Sequence, residues 1–285
     1  MPEILLATLN AKYQHAALGL RYLRANLGSL RHRSALVEFD IHHRPIDVVE
    51  QLLAHDPRII GLGVYVWNVM QLTEVARLLK ALRPEVILVL GGPEVSYDTD
   101  AQPIIDLADY VLAGEADLAF AELCSALLAG SKPSSHIVQV TPPDLADAAL
   151  PYDEYSQTDL AERWLYVETS RGCPFKCEFC LSSQSAGLRP FPLARVWAAL
   201  ERLIQRGGRR FKFVDRTFNL DIAHACAVLD FFLERPVPDL FLHFEMVPDL
   251  LPEALRDRLC RFPPGVLHLE LGVQTFNPAV AARLH

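Results

Sequence analysis

Three closely spaced cysteines carry the strongest chemical signal in this sequence. Cys173, Cys177 and Cys180 follow the pattern Cys-x3-Cys-x2-Cys, directly after an apolar stretch that predicts a strand. Thiolates are the protein ligands of iron–sulfur clusters, and short spacings let one loop bind several irons. Three thiolates on a four-iron cluster leave one iron open to an external ligand. The loop is therefore predicted to hold such a cluster.

A structural zinc site is the main alternative for this loop. Such a site needs four ligands, and after Cys180 no Cys or His follows before His224. Gly172 allows a close backbone approach, and Pro174 removes a donor and stiffens the loop. The remaining cysteines fall in helical patterns and are predicted to be small buried apolar groups: Cys124, Cys226 and Cys260.

The composition limits where the protein works and what it binds. The chain has 285 residues and a net charge of −8 without a run of Lys or Arg, which argues against nucleic-acid partners. No apolar stretch reaches the roughly 18 residues of a spanning helix, so no membrane association is expected. The start lacks the basic and apolar regions of a secretory signal. We therefore predict a cytoplasmic protein whose cysteines are reduced or bind metal.

The first 130 residues alternate predicted strands with predicted helices. This alternation implies parallel pairing and a doubly wound α/β sheet. The predicted strands are 3–8, 35–40, 59–64, 86–90 and 110–113, and the predicted helices are 16–26, 47–54, 69–82 and 117–129. Residues 131–160 are rich in Ser and Pro and are predicted to be a linker with one edge strand at 137–140.

From residue 161 the alternation resumes and continues to residue 285. The predicted strands are 165–169, 211–215, 241–246 and 267–272, and the predicted helices are 193–205, 222–234 and 253–260. Asn277 and Pro278 are typical of the start of a further helix. Because that helix has little room to finish, and an apolar strand is left at the edge, we expect this domain to be truncated.

Polar residues stand where the later strands end. In parallel α/β barrels the carboxyl ends of the strands carry the active site. The alternative is that these residues cap loops or pair with Arg171 or Arg216. The residues are Asp215, Asn219, Glu245, Glu270 and Gln274.

The first domain has a predicted ligand edge of its own. In doubly wound sheets, ligands bind outside the carboxyl ends of the strands, where the strand order reverses. Tyr65 and Trp67 lie there and can stack on a flat ligand or pack in the core. There is no GxGxxG motif and no P-loop lysine. The loops that reach this edge are 9–15, 65–68 and 91–94.

The cysteine loop resembles the signature of the radical S-adenosylmethionine (SAM) superfamily. The resemblance implies a partial (βα)6 barrel, with SAM chelated to the open iron by its amino and carboxylate groups. One-electron reduction then yields methionine and a 5′-deoxyadenosyl radical, which abstracts a substrate hydrogen. The family places the aromatic residue before the last cysteine, here Phe179, near the adenine. By their position in the family's pattern, further residues are candidates to bind SAM: Asp215, Asn219, Glu245, Glu270 and Gln274.

A doubly wound domain before such a barrel resembles the cobalamin-binding class of this superfamily. The segments that fit this class are 18–23, 91–93 and 114–117, and those that resemble one subgroup, catalogued as a domain of unknown function, are 168–183, 213–219 and 269–275. The resemblance implies cobalamin at the ligand edge of the first domain. The candidate contacts are Asn10, Tyr13, His15, Tyr65, Asn68, Gly91, Gly92 and Pro93.

The sequence departs from one pattern of cobalamin enzymes. The Asp-x-His-x-x-Gly motif of the mutases and methionine synthase is absent after the first strand; residues 40–45 imitate it after the second strand but lack the glycine, and are predicted to be a polar turn. His15 is better placed to lie under a corrin, although a loop histidine is more often a capping group. The default of the class is cobalamin without a protein ligand.

The expected fold is α/β, with a doubly wound (flavodoxin-like) domain at 1–130, a linker at 131–160 and an incomplete radical SAM barrel at 161–285. The expected function is a cobalamin-dependent radical enzyme that functionalises, most simply methylates, an unactivated carbon of a small molecule or peptide. A flavodoxin or ferredoxin is implied as electron donor. The open alternatives are a cobalamin-independent radical SAM enzyme and a fragment that binds cofactors without catalysis.

Overall fold

The computed structural model describes residues 1–97, 99, 102–185 and 187–284. The chain divides into two compact units, Met1–Tyr155 and Ser156–His285.

The first unit is built on a six-stranded sheet in which every pair of neighbours is parallel, in the order β2-β1-β3-β4-β5-β6. Its strands are β1 (Ile4–Asn10), β2 (Ser34–Asp40), β3 (Ile59–Gly63), β4 (Ile87–Gly91), β5 (Tyr110–Ala113) and β6 (Ile137–Gln139). Its helices are α1 (Leu18–Ala25), α2 (Pro45–Leu53), α3 (Val69–Leu82) and α4 (Ala119–Leu128).

Both faces of this sheet are covered by helices. On one face, alternate strand residues such as Leu5 and Ile60 pack with Leu52 of α2 and Leu72 of α3. On the other face, the intervening strand residues pack with α1 and α4. The strands are apolar on both faces because both are buried. The strand order reverses at β1 and β3, which makes their carboxyl ends the expected ligand edge.

Residues 131–155, part of the predicted linker, belong to the first unit. Asn26 accepts from the Ala149 backbone N–H (2.8 Å) and donates to the Ala149 carbonyl (3.1 Å). Glu154 forms ion pairs with Arg24 and Arg31 of the same unit. These contacts fix the segment to the first unit. The predicted domain boundaries at residues 130 and 160 remain predictions.

The second unit contains a four-stranded parallel sheet in the order β12-β11-β10-β7 and a short antiparallel pair, β8 and β9. Its strands are β7 (Leu165–Val167), β8 (Ser170–Arg171), β9 (Arg189–Pro190), β10 (Arg210–Phe213), β11 (Phe241–Met246) and β12 (Leu267–Leu271). Its helices are α5 (Gln157–Glu162), α6 (Leu193–Gln205), α7 (Ile222–Leu233), α8 (Glu253–Cys260) and α9 (Pro278–Leu284). Parallel strands that lie next to each other in the order of the chain are typical of an α/β barrel.

Aromatic packing forms the core of this unit. Phe213 of β10 stacks on Phe244 of β11 with ring centroids 4.6 Å apart, and Phe218 stacks on Phe244 at 4.0 Å. Phe232 of α7 meets Phe213 edge-on. Each buried ring contributes about 1.5–3 kcal/mol. Because Phe218 lies in the loop after β10, this stack also fixes the loop that reaches the cysteines.

The predicted fold class, a doubly wound α/β domain followed by a partial barrel, is confirmed. Two expectations were wrong in detail. Helix α5 begins inside the predicted linker (131–160), which was expected to hold only an edge strand, and it starts with a capping box between Ser156 and Asp159. Cys260, predicted to be buried, is exposed, because the only buried residue of α8 is Leu255.

Candidate functional site

The segment that leads into the cysteine loop is anchored by a buried carboxylate. Asp215, which is 1% exposed, accepts hydrogen bonds from the Thr169 N–H (3.0 Å), the Thr169 hydroxyl (2.7 Å) and the Ser170 hydroxyl (2.6 Å). The Thr169 hydroxyl also lies 2.7 Å from His224 Nε2. Burial raises the pKa of Asp215, against the effect of these donors. Asp215 therefore fixes the loop after β7 to the loop after β10.

A tight turn then carries the chain into the cysteines. Gly172 has φ +90°, and a Cβ there would lie 2.0 Å from the Gly187 carbonyl oxygen. Only glycine fits this position without moving the backbone. Strands β8 and β9 pair on either side of the loop and close it at its base.

The loop is held by hydrogen bonds within itself. The Cys173 N–H donates to Ser185 Oγ at 3.0 Å, and the Cys180 N–H donates to the Cys177 carbonyl at 3.1 Å. Lys176 Nζ donates to the carbonyls of Ser183 (2.6 Å) and Ser185 (3.2 Å). These contacts hold a compact loop over the whole cysteine motif.

None of the three cysteines forms a disulfide, and their surroundings are unequal. Cys173 is buried and its Sγ lies 3.6 Å from Thr217 Oγ1, whereas Cys177 and Cys180 are half-buried. Phe179 is 57% exposed next to them. In the part of the chain that the structure describes, no three His, Cys, Asp or Glu side chains converge tightly enough to bind one metal ion. In a four-iron cluster each thiolate binds a different iron. The predicted cluster therefore does not require three side chains to converge on one metal ion.

The face of the barrel sheet away from the aromatic core carries a polar row. Lys212, His243 and His268 are direct neighbours across β10, β11 and β12, and Glu245 and Glu270 are paired two residues further along. His243 Nε2 lies 3.2 Å from Glu270 Oε2. Burial, and then the charge of Lys212, lower the pKa of His243, whereas burial raises the pKa of Glu245 and the nearby Glu270 raises it further.

The other predicted SAM contacts have different surroundings. Asn219 is buried and braces the loop after β11, because it donates to the carbonyls of Val247 (2.8 Å) and Leu250 (2.6 Å) and accepts from the Val247 N–H. Gln274 follows β12 with φ +63° in an exposed loop. The structure thus places Asp215 and Asn219 in bracing positions, while Glu245 and Glu270 share a face.

The predicted ligand edge of the first unit is held by Asn68. This residue is fully buried and donates to Thr8 Oγ1 (3.0 Å), the Leu9 carbonyl (3.0 Å) and the Gly63 carbonyl (3.1 Å). It also accepts from the Tyr65 N–H at 2.8 Å. Asn68 therefore joins the carboxyl end of β1 to that of β3.

A buried ion pair positions the loop after β1. Glu38 of β2 accepts from Arg21 (2.7 Å), from the Ala17 N–H (2.6 Å) and from Asn10 Nδ2 (2.9 Å). Asn10 Nδ2 also lies 2.9 Å from the His15 carbonyl. The charge of Arg21 and these donors hold the pKa of Glu38 below its usual value although burial opposes them. The loop with Tyr13 and His15 is thereby fixed at both ends.

The loop after β4 approaches β3 closely. Gly92 has φ +110°, and a Cβ there would lie 2.5 Å from the Val64 carbonyl oxygen. Gly91 closes β4, and its carbonyl accepts from the Val64 N–H at 2.8 Å. Pro93 begins a short 3-10 turn at Pro93–Val95. The two glycines thus let the backbone after β4 lie against the backbone at Val64 without side chains of their own.

Exposed aromatic rings lie at the same edge. Tyr65 and Trp67 are stacked with centroids 4.6 Å apart and planes 6° from parallel, and Trp67 Nε1 donates to the Leu9 carbonyl at 3.1 Å. Trp67 is 46% exposed and Tyr13 is 44% exposed. The structure therefore brings together the predicted loops after β1, β3 and β4.

Sequence reasoning missed several residues that shape these sites. Thr217, in the loop after β10, contacts Cys173, and His224 of helix α7 contacts Thr169. Glu38 and Arg21 form the buried pair. Glu38 had a visible signal, since a carboxylate in the middle of the apolar strand β2 needs a partner. Thr217 and His224 had none, because only the fold brings them to the loop.

The comparisons with known proteins agree with this geometry. A family model described as the B12 binding domain matches residues 4–124. An uncharacterized methyltransferase of Pyrococcus horikoshii is 29% identical over 202 residues, which cover 61% of this chain and 43% of the relative. The cobalamin-dependent radical SAM methyltransferase TokK of Streptomyces tokunonensis is 28% identical over 206 residues, 60% of this chain and 30% of the relative. The chain thus contains a match to the B12 binding domain and is similar to cobalamin-dependent radical SAM methyltransferases.

The fold of this chain is also found in solved structures. Two structures of the radical SAM methyltransferase TsrM from Kitasatospora setae match with a TM-score of 0.71, one with tryptophan substrate and a SAM analog and one with cobalamin and a [4Fe-4S] cluster. They are 18% and 19% identical and cover 97% and 98% of this chain, and 60% and 62% of their own chains. The chain spans less than half the length of the curated relatives it matches. Among the described residues, no helix of this chain is long and apolar enough to cross a bilayer.

Proposed function

We propose that this chain is the cofactor-binding part of a cobalamin-dependent radical SAM enzyme that methylates an unactivated carbon. The observation that carries the proposal is the glycine-turned loop with three cysteines that form no disulfide, in a chain whose residues 4–124 match the B12 binding domain. Curated relatives described as methyltransferases support methylation as the outcome.

The donor set fits a four-iron cluster. Cys173, Cys177 and Cys180 would bind three irons and leave the fourth to the amino and carboxylate groups of SAM. When bound and reduced, the cluster supplies the electron that cleaves SAM to methionine and a 5′-deoxyadenosyl radical. The loop's own part is to present the three thiolates in a fixed arrangement.

The edge of the first unit fits a corrin. Gly91, Gly92 and Pro93 offer a narrow backbone surface, and the exposed faces of Trp67 and Tyr13 offer aromatic contact for a flat macrocycle. Tyr65 supports Trp67 by stacking. We propose that the buried Asn10 and Asn68 brace these loops, and that His15 stands on the loop nearest the corrin.

The SAM site is proposed from the residues around the cysteines and the polar row. Phe179 would meet the adenine, and Glu245, Glu270 and Gln274 would meet its polar groups. We propose that Asp215 and Asn219 position the loops around the site, because their side chains form hydrogen bonds with loop residues.

The substrate and partners are proposed at the level of chemical class. We propose a small-molecule or peptide substrate; tryptophan is the substrate in one TsrM structure. A flavodoxin or ferredoxin would supply the electron. Reduced thiols and an oxygen-sensitive cluster suit the cytoplasm.

Anaerobic purification with iron, sulfide and corrin measured together tests the proposal. We expect about four irons and four sulfides per chain after reconstitution, and one corrin after incubation with hydroxocobalamin. Cys173→Ala, Cys177→Ala and Cys180→Ala should each abolish the cluster, whereas Cys260→Ala, outside the loop, should keep it. Unchanged iron in the three loop variants would refute the cluster, and absence of corrin binding at micromolar concentration would favour a cobalamin-independent enzyme.

A further inference from the structure

Thr217 makes a buried contact with one of the three cysteines. Its side chain lies in the loop after β10, is 4% exposed, and places Oγ1 3.6 Å from Cys173 Sγ. A thiolate bound to iron carries no proton, so the threonine hydroxyl is the only possible donor in this pair. In a buried site such a hydrogen bond is stronger than one in water.

The contact is fixed from both sides. Two residues before Thr217, Asp215 binds Thr169 and Ser170 at the entry of the cysteine loop. One residue after it, Phe218 stacks on Phe244, and its N–H donates to the Glu245 carbonyl at 2.9 Å. The hydroxyl therefore lies between two anchors, and the loop cannot drift away from Cys173 without breaking one of them.

Cys173 differs from the other two cysteines in this respect. It is 8% exposed, whereas Cys177 and Cys180 are half-buried and open to water. The polarity around the buried sulfur is thus determined by the protein. Hydrogen bonds to the sulfurs and solvent exposure are among the properties that determine the reduction potential of an iron–sulfur cluster.

We propose that Thr217 is a positioning residue that donates a hydrogen bond to the Cys173 sulfur and raises the reduction potential of the cluster. The inference rests on the proposed function, since it requires a cluster on the loop. Reduction adds negative charge to the cluster and its sulfurs. A donor aimed at one sulfur stabilises that added charge and makes the cluster easier to reduce.

An EPR-monitored redox titration of the reconstituted full chain tests the proposal. Thr217→Val removes the hydroxyl and keeps the branched shape, and Thr217→Ser keeps the hydroxyl. We expect a lower midpoint potential for Thr217→Val than for wild type, and a potential near wild type for Thr217→Ser. Thr73→Val is the matched control, because it makes the same change in the first unit, away from the cysteine loop. Thr73 Oγ1 donates a hydrogen bond to the Val69 carbonyl in α3.

Iron content separates the two possible failures. A wild-type chain that binds no iron contradicts the proposed function, whereas full iron in Thr217→Val with an unchanged potential overturns only the role of Thr217. If Thr217→Val does not load iron, the wild type supplies the second measurement. Its reduced cluster should show an exchangeable proton coupling by ENDOR when H2O and D2O samples are compared, and absence of that coupling overturns the inference.

Discussion

Replacing Asp215 by Asn should destabilise the second unit by removing the anchor of the cysteine loop. Asp215 accepts from three donors, the Thr169 N–H and the hydroxyls of Thr169 and Ser170. An Asn side chain has one oxygen and one NH2 group. With the amide oxygen toward the two hydroxyls, the NH2 group faces the Thr169 N–H, a donor against a donor. With the amide reversed, both hydroxyls must turn to accept from the NH2 group and no longer donate to Asp215.

The magnitude follows from this count. In the first orientation the unsatisfied Thr169 N–H costs about 1–3 kcal/mol, and in both orientations each hydrogen bond to the neutral amide is weaker than one to a carboxylate by about 1 kcal/mol. The neutral side chain recovers part of this, because burial of the charge raises the pKa of Asp215. The net loss should be about 2 kcal/mol, a factor of about 30 in the folding equilibrium.

Urea unfolding followed by tryptophan fluorescence measures this loss. In a Trp67→Phe background the remaining tryptophans, Trp164 and Trp197, both lie in the second unit, so the signal reports that unit. The matched control is Asp249→Asn, because Asp249 is exposed and should change stability by less than about 0.5 kcal/mol. If Asp215→Asn changes stability no more than this control, the anchor argument is refuted.

Three further predictions concern other parts of the chain. Glu38→Gln should destabilise the first unit by about 3 kcal/mol, since breaking a buried ion pair leaves Arg21 without its carboxylate; Glu74→Gln at an exposed pair should cost little, and equal losses in urea unfolding would contradict this. Trp67→Ala should weaken hydroxocobalamin binding, measured by absorbance titration, while Trp164→Phe in the second unit should not; equal affinity of Trp67→Ala and wild type would exclude Trp67 from the corrin site. Because burial raises the pKa of Glu245, this group stabilises the fold below its unfolded pKa, and that stability is lost as pH rises through the folded pKa. The unfolding free energy of Glu245→Gln minus that of wild type should therefore grow between pH 4.5 and 7, and a constant difference would argue against the assignment.

Long periodic elements were predictable from the sequence. Helices 69–82, 193–205 and 253–260 and strand 241–246 were predicted with the bounds that the structure shows. Their apolar spacing extends over enough residues to define a face. By contrast, α5 has six residues, and β8 and β9 have two each, so periodicity gives no signal for them.

The site was predictable only where local spacing carries the chemistry. The cysteine motif is readable because its residues are close in sequence. The partners of Asp215 lie 45 and 46 residues away, and the contact of Thr217 with Cys173 spans 44 residues. Such contacts depend on which strands become neighbours in the sheet. Strands β7 and β10 are neighbours, and the chain that connects them includes helix α6.

The central claim is that three thiolates leave one iron open to SAM, and EPR of the reduced cluster tests it most directly. The reconstituted full chain is reduced anaerobically and its spectrum is recorded with and without SAM. Coordination of the amino and carboxylate groups to the open iron should change the g values of the cluster. A loop that contains zinc, or a cluster spectrum that SAM leaves unchanged, would contradict the account.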